Sequence, residues 1–164
     1  MNSKRNQLIL TILVAVLALS LLAAGGSTKV GTIEFGETTD VSLGRSGLVF
    51  TGSQYDGTVK LTRVNQNNKL PGTNVPDFTQ KLMKTSLYNA DNQKVTHVVG
   101  SVYVYFKIRG PEQRMWNRGE LTIYYYDSWT NKWTECPTTF IYKTGESRVS
   151  CRIRTMGLYG VGEK

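Results

Sequence analysis

The chain has 164 residues and a formal net charge of +8, from 20 basic and 12 acidic side chains. This length suits one domain that buries a core without depending on disulfides or metals. Two cysteines and one histidine do not supply the four ligands of a structural zinc site, so that class is excluded. The basic balance favours anionic partners, although solubility alone is an equally good explanation of it.

The N-terminus predicts export from the cytoplasm. Lys4 and Arg5 precede an apolar stretch, LILTILVAVLALSLLAA, over residues 8–24. A basic start, an apolar segment and the small residues of AAGGS are typical of a signal peptide, with cleavage expected after Gly25. The stretch is also near the lower limit for a spanning helix, so an uncleaved anchor is the alternative. We therefore predict a signal peptide or membrane anchor over 1–25. The rest, 29–164, is predicted to be one extracytoplasmic domain that is secreted, periplasmic or on the cell surface.

From Lys29 onward, short alternating stretches are separated by Gly, Asn, Asp and Pro, which predicts an all-β domain. We find no sustained helical periodicity. The candidate strands are 32–35, 47–51, 58–64, 101–108, 121–127, 132–136, 139–142, 148–154 and 158–161. So many short strands predict an antiparallel immunoglobulin-like β-sandwich. Residues 65–78, which include Pro71 and Pro76, are predicted to be an irregular crossover, and 77–92 to be either one or two helical turns or a broken strand.

Three of the predicted strands separate aliphatic side chains from a mixture of tyrosines and basic residues. The predicted inward positions are Val102, Val104, Phe106, Ile108, Leu121, Ile123, Tyr125, Val149, Cys151 and Ile153. The predicted outward positions include Tyr103, Tyr105, Lys107, Arg109, Tyr124, Tyr126, Arg148, Arg152 and Arg154. Such a face could stack on sugar rings while its cations bind acidic groups. The alternative is that the tyrosines only pair across strands, beneath the arginine stems.

The three tryptophans also divide into candidates for ligand contact and for packing. Trp116 and Trp129 lie in predicted loops, where they are contact candidates, and Trp133 is predicted to pack in the core beside a disulfide. The candidate ligand-binding residues are therefore Tyr103, Tyr105, Tyr124, Tyr126, Trp129, Arg109, Arg152 and Arg154.

Cys136 and Cys151 both follow the export signal, and an even pair in an exported chain predicts a disulfide. The turn KTGES lies between the strands that flank it and returns the chain antiparallel, which brings the two cysteines to comparable heights. A register shift of two residues would move them too far apart, so the sequence permits the bridge without proving it.

The C-terminal half resembles a known family. The order SVYVYFKI, a loop, GELTIYYYD, a polar turn, NKWTECPTTFIYKTGESRVSCRI and a closing MGLYGV is similar to the β-sandwich domain of ankyrins, netrin receptors and many bacterial surface proteins. The likeness covers about residues 99–162. The bacterial domains typically end in Gly-aromatic-Gly-aliphatic, matched here by Gly157, Tyr159, Gly160 and Val161. The resemblance implies a structural or adhesive module. Some eukaryotic relatives cleave themselves at a His-aromatic-Ser step, which this chain lacks before its last strand.

The sequence offers little for catalysis. His97 is the only candidate base, and its β-branched surroundings in KVTHVVG are typical of a structural or surface histidine. Glu112, Glu120, Asp127 and Glu135 lie beside turns or strand ends with basic neighbours, which favours solvated ion pairs over a glycosidase pair. No phosphate loop, dinucleotide fingerprint or nucleophile elbow is present. We expect no catalytic residues, no metal site and no cofactor.

The sequence therefore predicts a non-enzymatic structural or binding module of the cell envelope or extracellular space. The alternative is a glycan- or anionic-polymer-binding domain that uses the Tyr and Arg sheet face. The expected partners are an anionic glycan or other envelope polymer, or an envelope protein. Nucleic acid is not expected, and a membrane is expected only if the N-terminal helix remains uncleaved.

Overall fold

The computed structural model describes residues 27–66, 69–80, 82–143 and 145–164, and in them the chain is all-β apart from one short helix. The strands are β1 (Thr28–Ile33), β2 (Thr39–Leu43), β3 (Ser46–Thr51), β4 (Gly57–Val64), β5 (Leu82–Asn89), β6 (Lys94–Val95), β7 (Ser101–Lys107), β8 (Leu121–Asp127), β9 (Lys132–Cys136), β10 (Thr138–Lys143), β11 (Glu146–Arg152) and β12 (Leu158–Glu163). The helix α1 is Gly110–Asn117. The predicted signal peptide or anchor, 1–25, lies outside these residues. Within them, no helix has the length and apolar character needed to cross a membrane.

The strands form two antiparallel sheets. Sheet A has the order β1-β4-β5-β12-β8-β9, with the two-residue β6 also paired to β5. Sheet B has the order β10-β11-β7-β3-β2. The C-terminal strand β12 lies between β5 and β8, in the interior of sheet A. Each sheet is therefore completed only when distant parts of the chain come together.

One hydrophobic cluster joins side chains of both sheets. Leu48 and Phe106 enter it from sheet B, and Leu61 and Ile123 enter it from sheet A. All the predicted inward positions except Tyr125 are buried, and Tyr125 is half-buried against the same cluster. Alternation therefore predicted the core-facing side of β7, β8 and β11 correctly. Each large aliphatic side chain buried there stabilises the fold by about 1.5–3 kcal/mol.

The loop predicted around Trp116 is wrong, because this residue lies in the helix α1. Pro111 lies in its first turn, and the backbone N–H of Arg109 donates to the Glu112 carboxylate. The helix ends at Asn117, and the φ of 75° at Gly119 then allows the N–H of Glu120 to reach the carbonyl of Met115. Eight residues are too few for the 11–18-residue window in which helical periodicity can be recognised.

Three strands were not predicted as such. β2 and the two-residue β6 were missed, and β5 covers the segment for which helical turns and a broken strand were both open. β5 is continuous because β4 pairs along its whole length and β12 and β6 pair with its other edge. Backbone pairing on both sides is a long-range effect that outweighs the local preference of the segment.

The disulfide is present and joins the two sheets. Cys136 ends β9 in sheet A and Cys151 lies in β11 of sheet B, with their α-carbons 6.0 Å apart. Only Pro137 separates β9 from β10, so the chain crosses from sheet A to sheet B beside the bond. A bonded pair fits an oxidising, extracytoplasmic environment.

The predicted crossover is a cover over sheet A. Residues 69–80, the cover segment, run across the outer face of this sheet. The Phe78 ring packs edge-on against Tyr124 at 6.2 Å and Trp133 at 4.8 Å between centroids. Trp133 Nε1 donates to the carbonyl of Pro71 at 3.0 Å. Trp133 is therefore buried but not beside the disulfide, because Cys136 is three residues further along β9 and faces the other side of the sheet.

Candidate functional site

The eight residues predicted to bind a ligand do not share one sheet face. Tyr103 and Tyr105 lie on the outer face of sheet B. Tyr124 lies on the outer face of sheet A, beneath the cover segment. Arg109 is the N-cap of α1. The structure brings the other four together around one groove: Tyr126, Trp129, Arg152 and Arg154.

Tyr105 belongs to a closed polar network rather than an open platform. It is 3% exposed, its hydroxyl donates to Asp40 at 2.9 Å, and the Arg148 guanidinium lies 4.5 Å above its ring. Burial, reinforced by the hydrogen bond to Asp40, raises the pKa of Tyr105 well above its ordinary value. Beneath the ring lies Gly47, where a β-carbon would come within 2.5 Å of the Tyr105 side chain. This tyrosine is therefore held by packing from both sides.

The cations beside Tyr105 are already paired. Arg148 donates to Glu146 at 2.8 Å and to Asp40 at 3.4 Å, and Lys107 donates to Glu146 at 2.8 Å. The hydrogen bonds from Lys107 and then Arg148 lower the pKa of the Glu146 carboxyl. The carboxylates of Glu146 and Asp40 therefore balance the charges of Arg148 and Lys107. This part of sheet B attracts anions only weakly as a result.

Tyr124 is similarly committed to packing. It is 8% exposed, and its hydroxyl donates to the backbone carbonyl of Glu163 at 2.9 Å. Burial, with the nearby Glu135 carboxylate, raises its pKa. Phe78 covers the ring, so a ligand could reach it only if the cover segment moved.

The groove that the other four residues line has a volume of about 870 Å3. This volume lies within the usual range for ligand-binding clefts. One wall is the end of β8 with its hairpin loop, and its aromatic side chains are Tyr125 and Trp129. Tyr126 also borders the groove, but its ring packs against Trp133 on the outer face of sheet A. The opposite wall is the chain after Cys151 together with residues 94–97. Cys136 and Pro137 also line it, so the disulfide lies at the groove's edge.

A set of hydrogen bonds fixes the hairpin that carries Trp129. The Asp127 carboxylate accepts from the Trp129 backbone N–H at 2.9 Å and from the Thr130 hydroxyl at 2.8 Å. These two bonds, that of Thr130 first, lower the pKa of Asp127. The Tyr126 hydroxyl donates to Asn131, whose φ of 55° closes the turn. The loop is ordered while the Trp129 side chain is 93% exposed, so its ring is held out at the rim.

The opposite wall is built from two chain segments distant in sequence. The Val98 N–H donates to the carbonyl of Arg154, and the Met156 N–H donates to that of Thr96, both at 2.8 Å. His97 and Thr155 form a bridge between these bonds. This pairing places β6, which carries Lys94, beside Arg152 and Arg154. The sequence did not predict the pairing, because residues 94–98 carry no short-range signal of their partner. Lys94, His97 and Tyr125 are among the groove residues that the sequence prediction did not include.

The groove has an excess of positive charge. Lys94, Arg152 and Arg154 line it, and no ion pair to them occurs among the residues that the structure describes. Arg152 donates to the carbonyl of Gly100 at 2.9 Å, which orients its guanidinium without neutralising it. Asp127 and Glu135 also line the groove, which leaves an excess of one positive charge, and both oxygens of Asp127 accept hydrogen bonds within the turn. The arrangement can hold an anionic group close to the exposed Trp129 ring.

Comparison with known proteins found no relative of this chain. No family model matches the chain, and no curated protein and no solved structure matches it.

Proposed function

We propose that the protein is a non-enzymatic binding module of the extracytoplasmic space and that its groove takes an anionic polysaccharide chain. The observation that carries this proposal is the meeting of a 93% exposed Trp129 with three cations that form no ion pair in the described part of the chain. A large exposed apolar ring lowers solubility and neighbouring like charges lower stability, so their convergence on one cleft favours a ligand.

The chemistry of the walls favours a charged sugar polymer. An indole ring offers a flat apolar surface to the C–H face of a pyranose, and the Tyr125 hydroxyl on the same wall can bond a sugar hydroxyl. Across the groove, the guanidinium groups of Arg152 and Arg154 match carboxylate or sulfate oxygens in a two-point geometry. Lys94 adds a point charge that is less demanding in direction.

The extracytoplasmic location and the immunoglobulin-like type of the fold are part of the same proposal. The disulfide between the sheets supports an oxidising location, which residues 1–25 would provide as a signal peptide or anchor. Two antiparallel sheets with one shared core support an immunoglobulin-like sandwich, of the adhesive kind that the C-terminal half resembles. His97, on the groove wall, has its Nδ1 3.2 Å from the Thr96 hydroxyl, a contact that suits a structural histidine.

Binding to polygalacturonate, measured by calorimetry with the folded domain, tests the proposal. We expect Trp129→Ala and Arg154→Ala each to weaken binding about tenfold, which is about 1.4 kcal/mol. Phe35→Ala and Arg114→Ala are matched controls, because both side chains are exposed and neither lines the groove. Binding should also weaken as salt is raised, since exposed charges are screened.

Two results would contradict the proposal. One is the absence of binding to polygalacturonate and to a sulfated polysaccharide at low salt. The other is a loss of affinity in the Phe35 and Arg114 controls equal to that in the groove variants, which would indicate nonspecific attraction to a basic protein.

A further inference from the structure

We propose that two copies of this protein associate through β10, whose free edge pairs antiparallel with the same edge of the second copy. The result is a two-fold dimer in which the two copies of sheet B become one continuous sheet. This inference concerns a surface separate from the groove and does not depend on what the groove binds.

The four sheet edges differ in how they are protected. The β1 and β2 edges lie against each other, since a β-carbon on Gly31 would fall 2.6 Å from the Val41 side chain. At the β9 edge, the Thr73 N–H donates to the carbonyl of Asn131 at 3.0 Å and Thr73 bridges Lys132. At the β10 edge, β11 is the only strand paired with β10 in the residues that the structure describes. The outward backbone groups of β10 are therefore open.

The composition of β10 makes this open edge a good template for pairing. Its sequence, TTFIYK, consists of β-branched and aromatic residues with one charge at its end. Ile141 is 43% exposed and Tyr142 is 69% exposed. Natural edge strands are usually protected from further pairing by a central lysine, a proline or a bulge, and this strand has none of the three. An edge of this kind favours addition of another strand.

The strand is also complementary to itself. Residues directly opposite in an antiparallel pair must face the same side, so the two-fold axis passes beside a residue rather than between two. With the axis at Ile141, this residue meets its own copy, Phe140 meets Tyr142, and Thr139 meets Lys143. No like charges are opposed. Moving the axis to Phe140 would bring Pro137, which lacks an N–H, opposite Lys143 in the ladder.

Cysteine crosslinking tests the register. In this dimer, the β-carbons of the two Ile141 residues lie about 4.5–5.5 Å apart, within reach of a disulfide. We expect Ile141→Cys to form a covalent dimer under mild oxidation and Tyr142→Cys to remain monomeric in a denaturing gel. Tyr142 is the more exposed of the two, so random collision would favour the opposite result. Crosslinking of Tyr142→Cys to the same extent, or none in Ile141→Cys, overturns the proposal.

Sedimentation of the protein without added cysteines provides the second measurement. We expect a concentration-dependent rise toward twice the monomer mass, abolished by Ile141→Glu because two carboxylates would meet at the axis. Within one chain, this glutamate would lie beside Arg148, so the fold should tolerate it. Val30→Glu is the matched control, since it lies on the β1 edge beside Lys60 and should leave the dimer intact. A monomer at every concentration, or equal loss in both variants, contradicts the inference.

Discussion

At the scale of single residues, two glycines are needed because aromatic rings occupy the space of a side chain. A β-carbon on Gly47 would lie 2.5 Å from the Tyr105 side chain, and one on Gly160 would lie 2.6 Å from the Phe78 ring. The glycine lets the ring lie flat on the neighbouring backbone, and the ring in turn covers a strand position that has no side chain of its own. Each pair fixes an outer face of one sheet.

Tyr159 gives a prediction about pH at the same scale. Its side chain is 2% exposed, its hydroxyl donates to the carbonyl of Thr155, and burial raises its pKa to about 12. A raised pKa means that the folded state holds the proton more tightly than the unfolded state, whose tyrosine titrates near pH 10. The stability that this residue contributes is therefore complete below pH 10 and is lost as the pH rises from 10 to 12.

Urea denaturation between pH 8 and pH 11.5 measures this loss. We expect the free energy of unfolding to fall by about 2–3 kcal/mol per such residue over the full window, at 1.36 kcal/mol per pKa unit. Tyr159→Phe removes the titrating group, so its stability should fall less steeply than that of the wild type. Parallel curves for the two proteins would show that Tyr159 does not titrate as the structure requires. The buried Tyr105 acts in the same direction and remains in both proteins.

The alternation of apolar and polar residues predicted which face of a sheet most strand side chains point to, but not which residues they contact. Tyr105 faces outward, as expected, yet Asp40 and Arg148 enclose it from strands 65 and 43 residues away in sequence. No local pattern indicates that a tyrosine on the solvent side of a sheet will be buried by its neighbours. A period of two gives the direction of a side chain, and the partners depend on strand order.

At the scale of elements, the β8–β9 hairpin shows how a loop can be both ordered and exposed. Its turn is closed by the Asp127 carboxylate and by Tyr126 with Asn131. These bonds are local, so the turn chemistry was within reach of sequence reasoning. The position of the hairpin on a groove was not, because the cations on the opposite wall come from residues 94 and 152–154.

The hairpin gives the second prediction. Replacing Asp127 with alanine removes both bonds of its carboxylate, so the Trp129 ring loses its fixed position while its chemistry is unchanged. We expect polygalacturonate affinity to fall several-fold, with little change in the urea midpoint, as measured by calorimetry and denaturation on the same sample. Asp91→Ala removes an exposed carboxylate outside the groove and should raise affinity slightly or not at all. Unchanged affinity in Asp127→Ala would show that the turn does not position the ring.

At the scale of the whole molecule, the sequence predicted the all-β class of the fold but not the order of the strands within the two sheets. Short alternating segments identified most strands of both sheets, since each carries its own signal. The position of β12 between β5 and β8 and the placing of the cover segment depend on contacts between residues more than 70 positions apart, such as Thr85 with Gly157 and Thr79 with Val161. The groove exists only once that order is fixed, which is why four of its residues were predicted and their common site was not.

The disulfide gives the last prediction, because it ties sheet A to sheet B where the groove walls meet. Replacing Cys136 and Cys151 together with serine opens a 15-residue loop in the unfolded chain, which should lower the free energy of unfolding by about 3 kcal/mol. The serine pair should also weaken polygalacturonate binding at temperatures where the protein remains folded, since β9 and β11 are then free to separate beside Trp129 and Arg152. Urea denaturation and calorimetry at 15 °C distinguish the two effects. If stability falls and affinity does not, the strand pairings alone hold the walls in place and the bond serves only the fold.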